Sequence, residues 1–250
     1  MKALSSLQVL LGLAVLGGSV ALNVVLARAA FRYYGLLNDT RLDPFGLQKG
    51  SAPPSDRDTR PRVVVIGDSR AGAWKPPLSR ESTQFINRGM SGHTTAQALG
   101  RFQQHVADLE PDLVLIQAGI NDLKAIPLFP DRKTEIIEQC KANIQELVSR
   151  SEKTGAKIVV TTIIPAGSRI PLARIPFWPR EVDEAVEACS TGIRTLASDR
   201  VVVFDTAPII VSEPNGRVKP QYQRDFLHLN AEGYAVLNRQ LTPVLTTLLQ

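Results

Sequence analysis

The chain predicts an α/β domain built on a parallel sheet and preceded by an N-terminal membrane segment. Three observations predict it. First, Arg62-Val63-Val64-Val65-Ile66 runs straight into Gly67-Asp68-Ser69. A continuous β-branched run ending at glycine is the pattern of a central strand buried on both faces. Second, further apolar runs at 112–117, 157–164 and 201–204 alternate with helix-period segments. That alternation is the order of βαβ units with right-handed crossovers. Third, the chain has 250 residues; a membrane-like start and a polar connector leave roughly 190, enough for one substantial core.

Residues 1–37 are the first block. No residue between Ala3 and Ala27 is charged, and Leu, Val, Ala and Gly dominate. Such a stretch is long enough to span a bilayer with some tilt. It reads as an uncleaved anchor; the small-x-small step Ala27-Arg28-Ala29 keeps a cleaved signal segment as the alternative. Lys2 precedes the span, and Arg28, Arg32 and Arg41 follow it, so the positive-inside rule points to a cytoplasmic domain. A short basic start before a long apolar run is also how exported proteins begin, and the expectation is an extracytoplasmic, single-pass protein. Residues 38–61 hold Asn38-Asp39-Thr40, Asp43-Pro44 and Ser51-Ala52-Pro53-Pro54-Ser55-Asp56 and read as a polar tether. Residues 62–250 are the folded domain.

Within that domain the first strand is 62–66 and a short second strand is 84–87, leading into Asn87-Arg88-Gly89-Met90-Ser91-Gly92-His93. Leu99, Phe102, Val106 and Leu109 mark one buried face of a helix that Pro111 stops. The strand at 112–117 ends in Ala118-Gly119-Ile120-Asn121-Asp122. Ile136, Ile137, Cys140, Ile144, Leu147 and Val148 define the next helix, with Gly155 as its stop. After the strand at 157–164, Val182, Val186, Cys189, Ile193 and Leu196 give another helix. Asn230 caps a closing helix that Pro243 is expected to kink or split. Residues 165–179 contain four prolines with Phe177 and Trp178, placed where pocket walls are built. The same stretch also reads as a rigid connector. Cys140 and Cys189 read as buried free thiols, with a disulfide as the alternative.

The net charge is +5, with Lys and Arg scattered and few aromatics among them, which excludes a nucleic-acid surface. No GxGxxG or GxxxxGK[ST] follows the first strand, which excludes the common nucleotide-binding loops.

Ser69 stands just past the carboxyl end of a central strand, where α/β sheets place their chemistry. A helix starting there surrounds its hydroxyl with free backbone N–H groups; the bland alternative makes Asp68 and Ser69 turn and N-cap residues. Acyl transfer also needs a base, a group that orients the base, and donors for the oxyanion. Of the three histidines, only His228 has a carboxylate three residues before it in a loop-like setting, in Asp225-Phe226-Leu227-His228. That step can bring a carboxylate to Nδ1 and leave Nε2 free for the serine proton. Asn121 can aim its amide at an oxyanion, and Gly92 can offer a bare backbone N–H. Each is also explicable as turn chemistry.

Taken together, these blocks resemble the SGNH hydrolases, also called GDSL esterases and lipases, from about Arg62 to the C-terminus. Gly67-Asp68-Ser69, Asn87-Arg88-Gly89-Met90-Ser91-Gly92, Gly119-Ile120-Asn121-Asp122 and Asp225-Phe226-Leu227-His228 stand in the expected order. The resemblance implies a flavodoxin-like three-layer α/β/α sandwich without required metal or organic cofactor. It implies Ser69 as nucleophile, His228 as base and Asp225 as its partner. The Ser69 and Gly92 backbones and the Asn121 side chain would form the oxyanion hole. One position departs: the residue after the serine is usually Leu and here is Arg70. A cation there would bind an anionic acyl chain or a glycan carboxylate, or point outward to a nearby acid. His93, Phe177 and Trp178 are further candidate substrate contacts, with a solvated loop as the alternative for His93. His105, beside the apolar stripe of its helix, is expected at the surface. Asp68 and Asp122 are expected to shape their turns, and Asp205 to cap one.

Three functional readings follow. The first is a membrane-tethered serine esterase acting on acyl esters, with short acyl groups of an envelope glycan or lipid as the expected substrates. The second is an acyltransferase using the same residues with a sugar hydroxyl as acceptor. The third is a catalytically silent glycan-binding module.

Overall fold

The computed structural model describes residues 5–49, 57–76, 78–79, 81–212 and 216–250. The chain divides into two compact units, Met1–Pro44 and Phe45–Gln250.

The first unit is one helix, α1 (Ser6–Leu42), opened by a capping box on Ser5. It is long and apolar enough to cross a membrane, and none of it is buried. The helix overruns the expected anchor boundary. Residues 38–42, read from sequence as tether, continue it because Asn38 Nδ2 donates to the Tyr34 carbonyl (2.8 Å) and Thr40 Oγ1 to the Leu36 carbonyl (2.9 Å). It stops at Asp43, whose extended backbone (φ −137°, ψ 76°) is what a following proline favours. Within the second unit, the Phe45 ring sits over Gly100 and the Leu47 carbonyl lies 3.3 Å from His105 Nε2. The 45–47 part of the expected tether is therefore packed within the second unit, and the Ser51-to-Asp56 part of it lies outside the described residues.

The second unit is a three-layer sandwich. Its strands are β1 (Arg62–Gly67), β2 (Gln84–Gly89), β3 (Leu113–Gln117), β4 (Lys157–Thr161) and β5 (Val201–Phe204). All neighbours pair in parallel, in the order β2-β1-β3-β4-β5, which is the flavodoxin-like winding. The period-2 alternation of β1 sends Val64 and Ile66 to one face and Val63 and Val65 to the other. On the Val64 side lie α3 (Thr95–Gly100), α4 (Phe102–His105), α5 (Ile120–Leu123), α6 (Lys133–Lys153) and α7 (Arg180–Arg194). On the Val63 side lie Trp74, which follows α2 (Ser69–Ala73), and α8 (Ala207–Ile210) and α9 (Ala231–Leu248). A two-residue hairpin pair, β6 (Val211–Ser212) and β7 (Arg217–Val218), sits outside the main sheet.

Three details differ from the sequence expectation. The single helix anticipated around Leu99–Leu109 is broken at Arg101 into α3 and α4 and ends in a 3-10 turn at Ala107–Leu109. Arg101 is fully buried, and its guanidinium donates to the Arg88 carbonyl (2.7 Å) and the Gly67 carbonyl (2.8 Å). Those two bonds serve the ends of β2 and β1, and satisfying them takes precedence over a continuous helix. His105, expected at the surface, is 1% exposed because residues 45–47 cover it. Pro243 does not split α9. Cys140 and Cys189 are both free and buried.

Where β1 and β2 end, the backbone layers nearly touch. A Cβ on Gly89 would fall 2.1 Å from the Gly72 nitrogen, and one on Gly67 would fall 1.7 Å from the Gln117 carbonyl oxygen. These approaches let α2 start directly above the sheet edge. Gly89→Ala is therefore expected to destabilise the protein by roughly 3 kcal/mol, because only backbone can move to relieve the overlap. A urea midpoint like that of the parent would show that the two layers are not in contact.

Candidate active site

The chain order reverses between β1 and β3, so the loops after these strands splay apart and leave a crevice. Ser69 enters it as the first residue of α2, capped by Asp68, whose Oδ1 accepts the Arg70 N–H at 2.8 Å. Asn121 enters it after β3, in the first turn of α5. His228 comes from the loop before α9. These loops line an open cleft of about 540 Å³ with Ser69, Gly92, Asn121, Lys124, Arg224 and His228 on its wall. A larger cleft, about 890 Å³, lies beside Asp112 and Lys157 at the opposite strand ends, away from all of this chemistry.

Across 159 positions of sequence, Ser69 Oγ lies 2.9 Å from His228 Nε2. His228 Nδ1 lies 2.9 Å from both oxygens of Asp225. Asp225 Oδ1 also accepts the Leu227 N–H (2.8 Å) and the His228 N–H (2.9 Å). Burial pushes the Asp225 carboxyl up, but those N–H groups and the imidazole outweigh it and hold it below the usual carboxylate range. An ionised carboxylate only accepts, so Nδ1 carries the ring proton and Nε2 is left to accept from the serine hydroxyl.

Three residues that carry N–H donors line the cleft: Ser69, Gly92 and Asn121. The Ser69 N–H is at the first position of α2 and has no intrahelical acceptor. Gly92, at φ 81°, is part of the cleft wall with open space around its Cα. Asn121 Nδ2 gives one hydrogen to the His93 carbonyl (2.9 Å), which fixes the amide and leaves its second hydrogen for a ligand. Asp122 is turned away: it accepts the Thr95 N–H (3.0 Å) and hydroxyl (2.6 Å) and so ties α5 to α3. Asp205 caps its turn at Ala207 and pairs with Arg194.

The structure corrects four expected substrate contacts. Arg70 borders the cleft, but its guanidinium is committed to backbone carbonyls and does not point outward. It is fully buried, and its Nε donates to the Leu227 carbonyl at 2.7 Å. Its two terminal nitrogens donate to the Ile164 and Pro165 carbonyls. Its own carbonyl accepts the Tyr234 hydroxyl at 2.9 Å. The guanidinium therefore joins the nucleophile turn to the residue before His228. His93 serves through its backbone, and its ring lies against Gly46. Trp178 is 5% exposed: its indole packs edge-on to Phe226 (5.5 Å) and donates to Asp183 (3.0 Å), behind the His228 loop. Phe177 is half exposed and is not part of the cleft wall. Two charged wall residues escaped the sequence reading, Lys124 and Arg224. The signal for Lys124 was its position one helical turn beyond Asn121.

Comparison with known proteins shows the family and the fold. The family model described as GDSL-like lipase/acylhydrolase matches residues 56–236. Platelet-activating factor acetylhydrolase IB subunit alpha1 of Rattus norvegicus is 26% identical over 202 residues, 77% of this chain and 78% of that protein. A GDSL-like lipase from Bacteroides thetaiotaomicron superposes with a TM-score of 0.61 at 23% identity, over 81% of this chain and 96% of that one. An acetylxylan esterase from Geobacillus stearothermophilus does so with 0.54 at 19% identity, over 76% and 96%. The last two are likenesses of fold.

Two outcomes test the architecture. Arg70→Leu removes the charge that three carbonyls share; kcat is expected to fall at least about tenfold, with a loss of stability of roughly 3 kcal/mol. Unchanged kcat would mean that the His228 loop holds its position without the guanidinium. The second concerns Asp68, whose carboxyl is pushed from 3.8 up to about 6 by burial, against the pull of Arg70. Folding therefore takes up a proton between those two values, so this contribution is present below the window and lost as pH rises through it. Asp68→Asn should lose less stability than the parent between about pH 4 and pH 6.5, by on the order of 3 kcal/mol, in urea midpoints. Identical pH slopes would contradict the shift.

Proposed function

Because this chain belongs to the GDSL-like lipase/acylhydrolase family, we propose that it is a membrane-tethered serine ester hydrolase that removes short acyl groups through an acyl-Ser69 intermediate. The relay from Ser69 Oγ through His228 to Asp225, each step at 2.9 Å, carries this reading. Ser69 attacks the ester carbonyl carbon as its proton passes to His228 Nε2, and the carbonyl oxygen becomes an oxyanion. The Ser69 and Gly92 N–H groups and the Asn121 amide stabilise that charge. Collapse breaks the bond to the alcohol oxygen, which takes the proton from His228. Water then repeats the sequence on the acyl-serine, giving its proton to Nε2 and releasing the carboxylic acid.

The short-acyl preference rests on an open cleft of about 540 Å³ with a mixed polar and apolar wall, and on the acetylhydrolase named above. The tether is α1, and the proposed location of the catalytic unit is extracytoplasmic, with envelope esters as substrates.

Ser69→Ala and His228→Ala are each expected to lower 4-nitrophenyl acetate turnover by about 1,000-fold or more. Asn121→Ala should cost about 100-fold, almost entirely in kcat, since its amide acts on charge that forms in the transition state. Full turnover by Ser69→Ala would end this reading.

A further inference from the structure

The cleft wall holds Arg70, whose guanidinium is spent on carbonyls, with Lys124, Arg224 and His228 and, among the described residues, no Asp or Glu. That imbalance is local, because the chain as a whole carries 29 basic against 24 acidic residues. The acids nearest Lys124 are committed elsewhere. Asp122 is bonded to Thr95, and Asp68 lies buried beneath the nucleophile turn with Arg70. Among the described residues no carboxylate stands within ion-pair distance of the Lys124 ammonium. Arg174 is a further cation within its electrostatic reach. Desolvation pushes the Lys124 ammonium below its ordinary pKa, which is the state of a cation that gains by meeting an anion.

Arg224 is anchored by its own backbone N–H, which donates to the His228 carbonyl at 2.9 Å. Its Nε is 3.6 Å from Asp225 Oδ2, too long for a firm bond, and the rest of its fork is open to a ligand. Lys124 stands one helical turn past the Asn121 amide, and Arg224 stands four residues before the base. Both cations are thus placed by the same backbone that places the donors and the imidazole.

We infer that this cleft selects esters whose alcohol part carries a negative charge close to the scissile bond, a carboxylate or a phosphate, with Lys124 and Arg224 as the groups that recognise it. This rests on the serine-esterase reading. A short acyl group has no room for a charge of its own, so the anion belongs to the alcohol. The anion-binding role anticipated for Arg70 therefore passes to two residues at the cleft surface, while Arg70 serves inside.

The test compares matched acetate esters: 4-acetoxybenzoate and 4-acetoxyphenyl phosphate against the neutral methyl 4-acetoxybenzoate. The readout is the ratio of kcat/KM for each anionic ester to that for the neutral one, so that a general loss of activity in a variant cancels. In the parent enzyme the ratio should fall as salt rises from about 10 mM to about 500 mM. In Lys124→Gln it should drop several-fold, and in Lys124→Gln/Arg224→Gln about tenfold or more. Lys124→Glu should lower it further. A larger drop with the benzoate marks a carboxylate as the natural anion, and a larger drop with the phosphate ester marks a phosphate. If Ser69-dependent hydrolysis of the neutral ester is robust but the ratio ignores salt and both variants, the inference is overturned and the esterase reading stands. If no ester is turned over and Ser69 is not acylated, both fall.

Discussion

A cation without solvent holds this site together. The Arg70 guanidinium lies between the turn that carries the nucleophile and the loops at 164–165 and 227, and its donors meet carbonyls on both. Burying a charge costs several kcal/mol unless it is paired and hydrogen-bonded; the Arg70 guanidinium is hydrogen-bonded to three carbonyls, with the Asp68 carboxyl near enough to act on it through space. Desolvation wins over attraction even so. Asp68 is pushed up and Arg70 pushed down, as each pays more in lost water than it recovers from the other. Such a pair fixes geometry more than it adds stability. The separation between Ser69 and His228 depends on two loops that the sheet alone does not tie together, and Arg70 bonded to Leu227 ties them.

Around that clamp, each group proposed to act in catalysis is oriented by something behind it. The Asn121 amide is held by the His93 carbonyl, and the imidazole by Asp225. Asp225 is held in turn by two backbone N–H groups, which keep it ionised against its partial burial. Trp178 backs the loop through Phe226, and the Gly167 N–H donates to the Phe226 carbonyl at 2.7 Å. Preorganised donors of this kind cost no rearrangement when charge develops.

The sheet and the Asp225–His228 contact were legible in the sequence because both are written locally. Continuous β-branched runs mark buried strands, and Asp225 and His228 are three residues apart, so their pairing needs only a turn. What the sequence concealed depends on distant partners. Arg70 reads as a surface or substrate cation until its acceptors, 94 to 157 residues away, are known. Trp178 reads as a pocket wall until Phe226 covers it. The break at Arg101 follows from two carbonyls at the ends of other strands, and His105 is covered by residues that precede the domain's first strand. Asn38 and Thr40 are turn formers by composition, yet they extend α1 because their side chains bond carbonyls one turn back.

The central claim is that Ser69, activated through His228, is the nucleophile of this chain. Incubation with a fluorophosphonate followed by peptide mass spectrometry tests it most directly. The account predicts one stoichiometric adduct on Ser69 that forms rapidly in the parent and far more slowly in His228→Ala. An adduct on another residue, or folded protein that esterifies nowhere, would contradict it.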